Sequence, residues 1–165
     1  MSDEPAPKRE SRLPSPGAAF LLSQLGFESA RRWAQRIEPL GIDPRQGLLL
    51  RVLGTDGPTT QADLARRIRV PASKVVGLVD ELEAAGLAER RAELGDRRVR
   101  VIHLTDRGTQ TLAALAKASA AHEEELTASL SADQRRQLVG MLEGVADDLG
   151  LARGIHPGVS SEPRR

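Results

Sequence analysis

Apolar residues recur every three or four positions through much of the chain, which is the spacing that places them on one face of an α-helix. The first such stretch runs from about Ser15 to Leu40 and ends at Gly41, a residue suited to a left-handed helix stop. Capping side chains, or a proline at the first helical position, open the later stretches. The predicted helices span residues 15–40, 44–56, 60–69, 71–85, 105–128 and 131–149.

Two short stretches between the fourth and fifth helices favour strands instead. Leu87–Ala92 and Val99–Leu104 flank Glu93-Leu94-Gly95-Asp96, which carries turn residues, so the three segments together predict a β-hairpin. Residues 1–15 and 154–165 are rich in Pro, Gly, Ser or charge and lack apolar periodicity, which predicts disordered tails. The pattern therefore predicts one mainly α-helical domain over residues 16–153, with about six helices and a two-stranded β wing.

Composition narrows the class of protein. With two phenylalanines, one tryptophan and no tyrosine, the core must be aliphatic, which favours packed helices. The absence of cysteine excludes disulfides and thiol redox sensing, and the three histidines (His103, His122 and His156) lie too far apart in sequence to suggest a metal site. We predict no cofactor and no enzymatic activity, because no catalytic grouping or phosphate loop appears. No apolar run approaches the ~20 residues that span a bilayer and no signal segment is present, so we expect no membrane partner and a cytoplasmic location.

The charge is unevenly distributed, although the net charge is only +1. Residues 65–100 carry nine basic and six acidic side chains, a net +3, whereas residues 105–149 carry four basic and eight acidic ones, a net −4. A basic middle followed by an acidic arm suits a protein whose centre faces phosphate groups. The alternative is a compositional bias, since 21 of the 24 basic residues are arginine and three are lysine.

Two short helices joined by a tight turn and followed by a basic hairpin have the order of a winged helix-turn-helix. The second helix of such a pair enters the DNA major groove, whose width of ~12 Å admits an α-helix. Opposite its apolar stripe, the 71–85 helix presents Ser73 and Gly77, flanked by Lys74 and Val76, in its first two turns. We refer to this helix as the recognition helix.

The chain resembles the MarR family of transcriptional regulators over about residues 18–150. The resemblance rests on a combination of motifs at specific spacings. These are Thr60-Gln61-Ala62-Asp63-Leu64-Ala65, Ser73-Lys74-Val75-Val76, Leu78-Val79-Asp80-Glu81-Leu82-Glu83, Gly86-Leu87, Asp96-Arg97-Arg98 and Leu104-Thr105-Asp106-Arg107-Gly108.

The resemblance implies a dimer in which residues 16–40 and 105–150 of two copies intertwine, while residues 44–104 form a winged lobe that binds double-stranded DNA at a palindromic operator. It also implies that Arg98 of the wing enters the minor groove, with Asp96 orienting it through a charge-assisted hydrogen bond. Where many relatives carry polar residues, this chain has Val76 and Gly77. We therefore expect Arg98 and DNA shape to carry a larger share of DNA recognition. The predicted DNA-binding residues are Thr60, Gln61, Ala72, Ser73, Lys74, Val76, Gly77, Asp96, Arg97, Arg98 and Arg100. A solvated hairpin with a surface ion pair is the alternative for the wing.

Many members of the family bind small aromatic acids between the dimer helices and the winged lobe. Trp33, Arg32 and Arg36 on the first helix are our candidates for such a site, with an arginine holding the carboxylate. Alternatively, Trp33 is a dimer-core aromatic and both arginines are solvated. The run Glu123–Glu125 is either a solvated face or pairs with arginines across the dimer.

The predicted function is a homodimeric, sequence-specific DNA-binding regulator, and we expect it to act as a repressor that a small-molecule ligand releases. The alternative is a winged-helix module that binds a protein partner without specific DNA binding.

Overall fold

The structure of the protein is a computed structural model that describes residues 17–93 and 96–160. The described helices are α1 (Ala18–Ile37), α2 (Pro44–Asp56), α3 (Gln61–Ile68), α4 (Ala72–Ala84), α5 (Asp106–Leu126) and α6 (Ala132–Asp148). The described strands are β1 (Thr59–Thr60), β2 (Ala88–Glu93) and β3 (Asp96–Leu104), and short 3-10 helices occupy Glu38–Leu40 and Pro157–Ser160. The mainly helical class and the six predicted helices are confirmed. The tail predicted at residues 1–15 lies outside the described residues.

Side-chain caps explain where four of the helices begin. Asp43 accepts the backbone N–H of Gln46 at 2.9 Å, and the Gln46 side chain accepts the N–H of Asp43 at 3.0 Å, which satisfies two helix-end donors reciprocally. Ser131 opens α6 with the same arrangement. The hydroxyls of Thr60 and Thr105 each accept one N–H at the start of α3 and α5. These starts are therefore encoded within a few residues of sequence.

The wing belongs to a three-stranded antiparallel sheet in the order β1-β3-β2. β1 pairs Thr59 with Ile102 and Thr60 with Val101. The predicted two-stranded wing is correct for β2 and β3 but omits β1. That strand has only two residues, too few for an alternating pattern to reveal it.

The core of the winged lobe lies between α2, α3, α4 and the sheet. Its largest fully buried side chains are aliphatic: Leu49, Leu50, Leu64, Ile68, Val75, Val79, Leu82, Leu87 and Ile102. Each side chain of this kind contributes about 1.5–3 kcal/mol when fully removed from water. This rigid, packed core holds the exposed face of α4 and the wing in place.

Helix α5 approaches this lobe closely at two glycines. A Cβ built on Gly108 would lie 1.9 Å from the carbonyl oxygen of Leu87, and one on Gly54 would lie 2.1 Å from Cδ2 of Leu112. The same carbonyl oxygen of Leu87 accepts the N–H of Thr105 at 3.2 Å. The glycine of the Leu-Thr-x-x-Gly motif is therefore required by a backbone contact between α5 and Leu87, which directly precedes β2.

The segment after α6 corrects the prediction of a disordered tail from residue 154 onward. Ile155 is 9% exposed and belongs to the core, and Arg51 of α2 donates a hydrogen bond to the carbonyl of Gly154. Pro157–Ser160 then forms the 3-10 helix, which packs on α2. A single buried isoleucine anchors the segment, and one residue leaves no periodic signal in a sequence rich in glycine and proline. Residues 161–165 lie outside the described part of the chain.

Candidate nucleic-acid interface

The turn between α3 and α4 sets the two helices of the helix-turn-helix. Arg69 ends α3 in the left-handed conformation, with φ of 55°, and the N–H of Val70 donates to the carbonyl of Ala65 at 3.1 Å. Val70 is 4% exposed, so the turn is pinned to the core. The Arg69 side chain donates to the carbonyl of Gly150 at 3.2 Å, which links this turn to the end of α6.

The recognition helix α4 presents the face that its sequence predicts. Val75, Leu78, Val79 and Leu82 are buried against the lobe. The predicted contact residues Ala72, Ser73, Lys74, Val76 and Gly77 are all exposed. A Cβ on Gly77 would meet nothing within 4 Å, so the glycine leaves open space at the surface and is not required by packing.

The first turn of α3 carries the other two predicted contacts on this side of the lobe. Thr60 caps the helix, and its hydroxyl donates to the carboxylate of Asp63 at 2.6 Å. The Asp63 carboxylate therefore accepts from the Thr60 hydroxyl, whereas in a capping box the third residue would accept from the Thr60 backbone N–H. Gln61 is the first residue of α3, and its buried Nε2 has no hydrogen-bond partner among the described residues.

The wing contains an irregularity where its arginines lie. Ala92 pairs with Arg100, but the next residue, Glu93, pairs with Asp96, so the register advances one residue on β2 and four on β3. This bulge falls on residues 97–99, and bulges re-aim side chains locally. Both strands also extend further toward the turn than predicted. The side chains of residues 93 and 96–98 and all of residues 94–95 lie outside the described part of the structure, so the orientation of Arg98 by Asp96 stays a prediction.

Most described basic side chains of residues 65–100 are paired within the chain. Carboxylates hold four of them: Arg66 pairs with Asp63, Arg67 with Asp56, Arg90 with Asp80 and Glu83, and Arg91 with Glu89. Arg100 is exposed and has no partner among the side chains that the structure describes. Arg69, at the turn between α3 and α4, donates to a carbonyl oxygen only, so its positive charge is not neutralised by that contact.

Arg90 was not singled out from the sequence, and it is the most enclosed of these basic side chains. Its side chain is 18% exposed, whereas that of Arg91 is 59% exposed. Its guanidinium lies 2.7 Å from Oδ1 of Asp80 and contacts a carboxylate oxygen of Glu83. An arginine in the middle of a basic hairpin carries no sequence signal that separates it from neighbours facing solvent.

The predicted ligand residues divide into two groups. Trp33 is half-buried and lines two cavities of about 430 and 690 Å³, both of which also touch Leu48 and His156. Arg32 and Arg36 do not line these cavities, because both guanidinium groups hydrogen-bond to Glu125 of α5, Arg32 at 2.6 Å. Glu125 therefore pairs with arginines of its own chain.

Other basic side chains line the cavities beside Trp33. Arg45 lies in the smaller cavity, 2.7 Å from Oδ2 of Asp43 and 3.4 Å from Oε2 of Glu81. Arg51 lies in the larger cavity, where its described contact is the carbonyl of Gly154. Sequence reasoning missed both, because they reach the cavity from α2 and not from the helix that carries Trp33.

His122 packs against Trp33 with 5.5 Å between ring centroids, and its Nε2 lies 3.1 Å from Oγ of Ser29. Desolvation lowers the pKa of His122 below its ordinary value, and the charge of Arg36 lowers it further. Its Nδ1 is buried without a partner among the described residues. The neutral imidazole is therefore the form that this site favours.

Glu28 of α1 lies beside two arginines of the same helix. Hydrogen bonds from Arg31 and Arg32 lower the pKa of the Glu28 carboxyl to about 2.

Among the described residues no group of His, Asp and Glu could hold a metal ion. No described helix is long and apolar enough to cross a bilayer.

Comparison with known proteins identifies the class. A model of the MarR family matches residues 40–99, the winged lobe. An HTH-type transcriptional repressor of Mycobacterium tuberculosis is 30% identical over 130 residues, which cover 78% of this chain and 93% of that protein. The chain belongs to the MarR family of winged-helix transcriptional regulators, and not to a family of enzymes. Across the curated relatives that it matches, the chain covers 65% to 93% of their own lengths.

Solved structures agree with this assignment. The transcriptional repressor CouR, bound to a 23-mer DNA duplex, superposes with a TM-score of 0.70 at 29% identity, covering 79% of this chain and 92% of that one. Wild-type MarR of E. coli in its apo form superposes with a TM-score of 0.67 over 81% of this chain and 98% of that one. At 22% identity the latter likeness concerns the fold alone.

Proposed function

We propose that the protein is a homodimeric transcriptional repressor that binds a palindromic DNA operator and is released by a small aromatic acid. The observation that carries the proposal is the surface of the winged lobe. The exposed face of α4 and the arginine-bearing wing are held on one rigid core, which is the arrangement that places a helix in the major groove and a wing in the minor groove. The relative CouR, which is bound to DNA, supports the same use of this lobe.

DNA binding is tested by titrating the protein onto a duplex that it selects from a random-sequence pool, and onto a scrambled duplex of equal length. We expect the logarithm of affinity to fall linearly with the logarithm of salt concentration, by about 0.9 for each phosphate neutralised. We also expect the selected duplex to bind more tightly than the scrambled one at every salt concentration. A flat salt response without preference between the duplexes would support the protein-interaction alternative.

The dimer is supported by apolar surface that the single chain leaves uncovered. Phe27 of α1 is 72% exposed, Met141 of α6 is 64% exposed and Leu149 is 70% exposed. Helix α6 has no buried residue of its own. So many exposed large apolar side chains are rarely left in water, so we assign α1, α5 and α6 to the dimer. A monomeric mass from light scattering at micromolar protein concentration would contradict the assignment.

We propose an effector site beside Trp33, where two cavities are lined by apolar side chains and a few polar groups. Arg51 is the better candidate to hold a carboxylate, because Arg32 and Arg36 already pair with Glu125. An aromatic acid that lowers DNA affinity should lose that effect in Arg51→Gln. Arg136→Gln, which removes an exposed arginine from the start of α6 and outside the winged lobe, is the matched control. If Arg51→Gln responds as the parent does and Arg36→Gln does not, Arg36 and not Arg51 holds the carboxylate.

A further inference from the structure

We propose that Arg90 is a positioning residue that fixes the wing relative to the recognition helix, and thereby sets the spacing between the two elements that contact DNA. The expected effect on DNA recognition rests on the proposed DNA-binding function. The structural role of Arg90 rests on its contacts alone and can be tested without DNA.

Arg90 lies near the middle of β2 and contacts α4 at three levels. Its backbone N–H donates to Oε1 of Glu83 at 2.6 Å, and its guanidinium contacts the second carboxylate oxygen of the same residue. Nη1 also lies 2.7 Å from Oδ1 of Asp80, and Nη2 donates to the carbonyl oxygen of Val76 at 3.4 Å. One side chain thus joins the strand to two carboxylates and a backbone carbonyl of the helix.

The spacing of these partners is what makes the contact a clamp. Val76, Asp80 and Glu83 follow one another at four and three residues, which places them on one face of α4 over about 10 Å of helix at ~1.5 Å per residue. A connection at one point would let the strand pivot on the helix. Contacts distributed along two turns resist both tilt and rotation of the wing.

The chemistry requires arginine in particular. A guanidinium presents five donors in a planar fork, so it can serve two carboxylates and a carbonyl at once, whereas an ammonium acts as a single point charge. With its side chain 18% exposed, Arg90 is also shielded from the solvent that weakens surface ion pairs. Val76 belongs to the predicted DNA-contacting face, so the clamp reaches the part of α4 whose position matters for base contacts.

Arg91 provides a matched control on the same strand. It follows Arg90 directly, so its side chain points to the other face of the strand. It is 59% exposed and pairs with Glu89 of its own strand, without a described contact to α4. Arg90→Gln and Arg91→Gln remove the same charge from adjacent positions. Only the first removes guanidinium contacts between wing and helix, while the bond from the backbone N–H of residue 90 to Glu83 can remain.

The first measurement uses hydrogen exchange of the full-length protein without DNA. In Arg90→Gln we expect amides of β2 and β3 to exchange faster while those of α5 keep their parental rates, and Arg91→Gln should match the parent throughout. Arg90→Lys, which keeps the charge, should recover part of the protection. If Arg90→Gln leaves the exchange of the hairpin unchanged, or if it raises exchange uniformly across the chain, the positioning role is refuted.

The second measurement compares affinities for the selected and scrambled duplexes. We expect Arg90→Gln to lower affinity for the selected duplex by about 10- to 100-fold, as when base-specific contacts are lost, with a much smaller effect on the scrambled one. Arg91→Gln should lower both equally. If the parent shows no preference between the duplexes, the proposed function fails, while the exchange result still decides the role of Arg90.

A charge-matched variant separates positioning from repulsion. Loss of Arg90 leaves Asp80 and Glu83 unpaired close to DNA, and two free carboxylates would repel phosphate groups by themselves. Asp80→Asn/Glu83→Gln/Arg90→Gln removes these charges together. Under the proposal this triple variant still fails to prefer the selected duplex. Recovery of the parental preference would overturn the proposal and show that Arg90 only neutralises its neighbours.

Discussion

Replacing Gly108 by alanine adds a methyl group where the first turn of α5 presses on the backbone of Leu87. The added Cβ would lie 1.9 Å from the Leu87 carbonyl oxygen, whereas an ordinary contact is at least 3.4 Å. The backbones of α5 and Leu87 would therefore have to move apart by about 1.5 Å. Neither partner can swing aside, because both belong to the backbone. The hydrogen bond from the N–H of Thr105 to the same oxygen is strained by any such movement.

The magnitude follows from three effects. Overpacking of a well-packed site costs about 1–3 kcal/mol. Loss of the Thr105 hydrogen bond adds about 0.5–1.5 kcal/mol. Alanine returns up to about 1 kcal/mol through its higher helix propensity. The expected net loss is therefore about 2 kcal/mol in the free energy of unfolding.

The assay is urea unfolding followed by far-ultraviolet circular dichroism, at one protein concentration for all variants. Gly77→Ala is the control, since it places the same methyl group in open space within α4 and should stabilise the protein by up to about 1 kcal/mol. Gly108→Ala should lower the midpoint by about 1 M urea, given the usual slopes for small proteins. If both variants shift the midpoint upward alike, α5 does not meet the lobe as described.

Three further predictions concern the wing, the pH response and the dimer. Arg98→Ala should weaken binding to the selected duplex by about 1–3 kcal/mol, whereas Arg91→Ala should weaken selected and scrambled DNA alike in gel-shift titrations; parental affinity in Arg98→Ala would leave recognition to α4 alone. Below about pH 6.5 the parent should lose stability as pH falls, because the unfolded chain binds a proton that burial of His122 disfavours in the folded state. His122→Gln should flatten that decline between pH 7 and 5.5 in the same urea assay, and an unchanged slope would contradict the attribution of the decline to His122. Glu28, with a pKa of about 2, affects stability only below this pH range. Leu142→Asp on the exposed face of α6 should yield monomers in light scattering, and a dimer of parental mass would place the interface elsewhere.

Local signals explain most of what could be predicted of the fold. The cap formed by Asp43 and Gln46 and the apolar period of α4 both act within one or two helical turns, so residue types at fixed spacing reveal them. β1 and the anchor at Ile155 depend on partners far along the chain, Ile102 in one case and α2 in the other. Contacts of that kind leave no periodic trace in the segment itself.

The residues of the candidate site likewise fall into two groups, those that local sequence predicts and those that depend on distant contacts. The exposed face of α4 follows from helical geometry once the buried stripe is known, so Ser73 and Lys74 could be placed from sequence. The pairing of Arg36 with Glu125 joins α1 to α5, and the contacts of Arg90 join β2 to α4. Sequence alone gives each arginine the same charge, and only the tertiary contacts decide which are already neutralised.

The position of Trp33 has a practical consequence. It is the chain's one tryptophan, and there is no tyrosine, so the intrinsic fluorescence of the protein comes almost entirely from one indole beside the proposed effector cavities. No label is needed to follow events there, because a ligand that enters either cavity changes the surroundings of the only strong emitter. The neighbouring ring of His122, 5.5 Å away between centroids, makes the same emission sensitive to protonation of that imidazole.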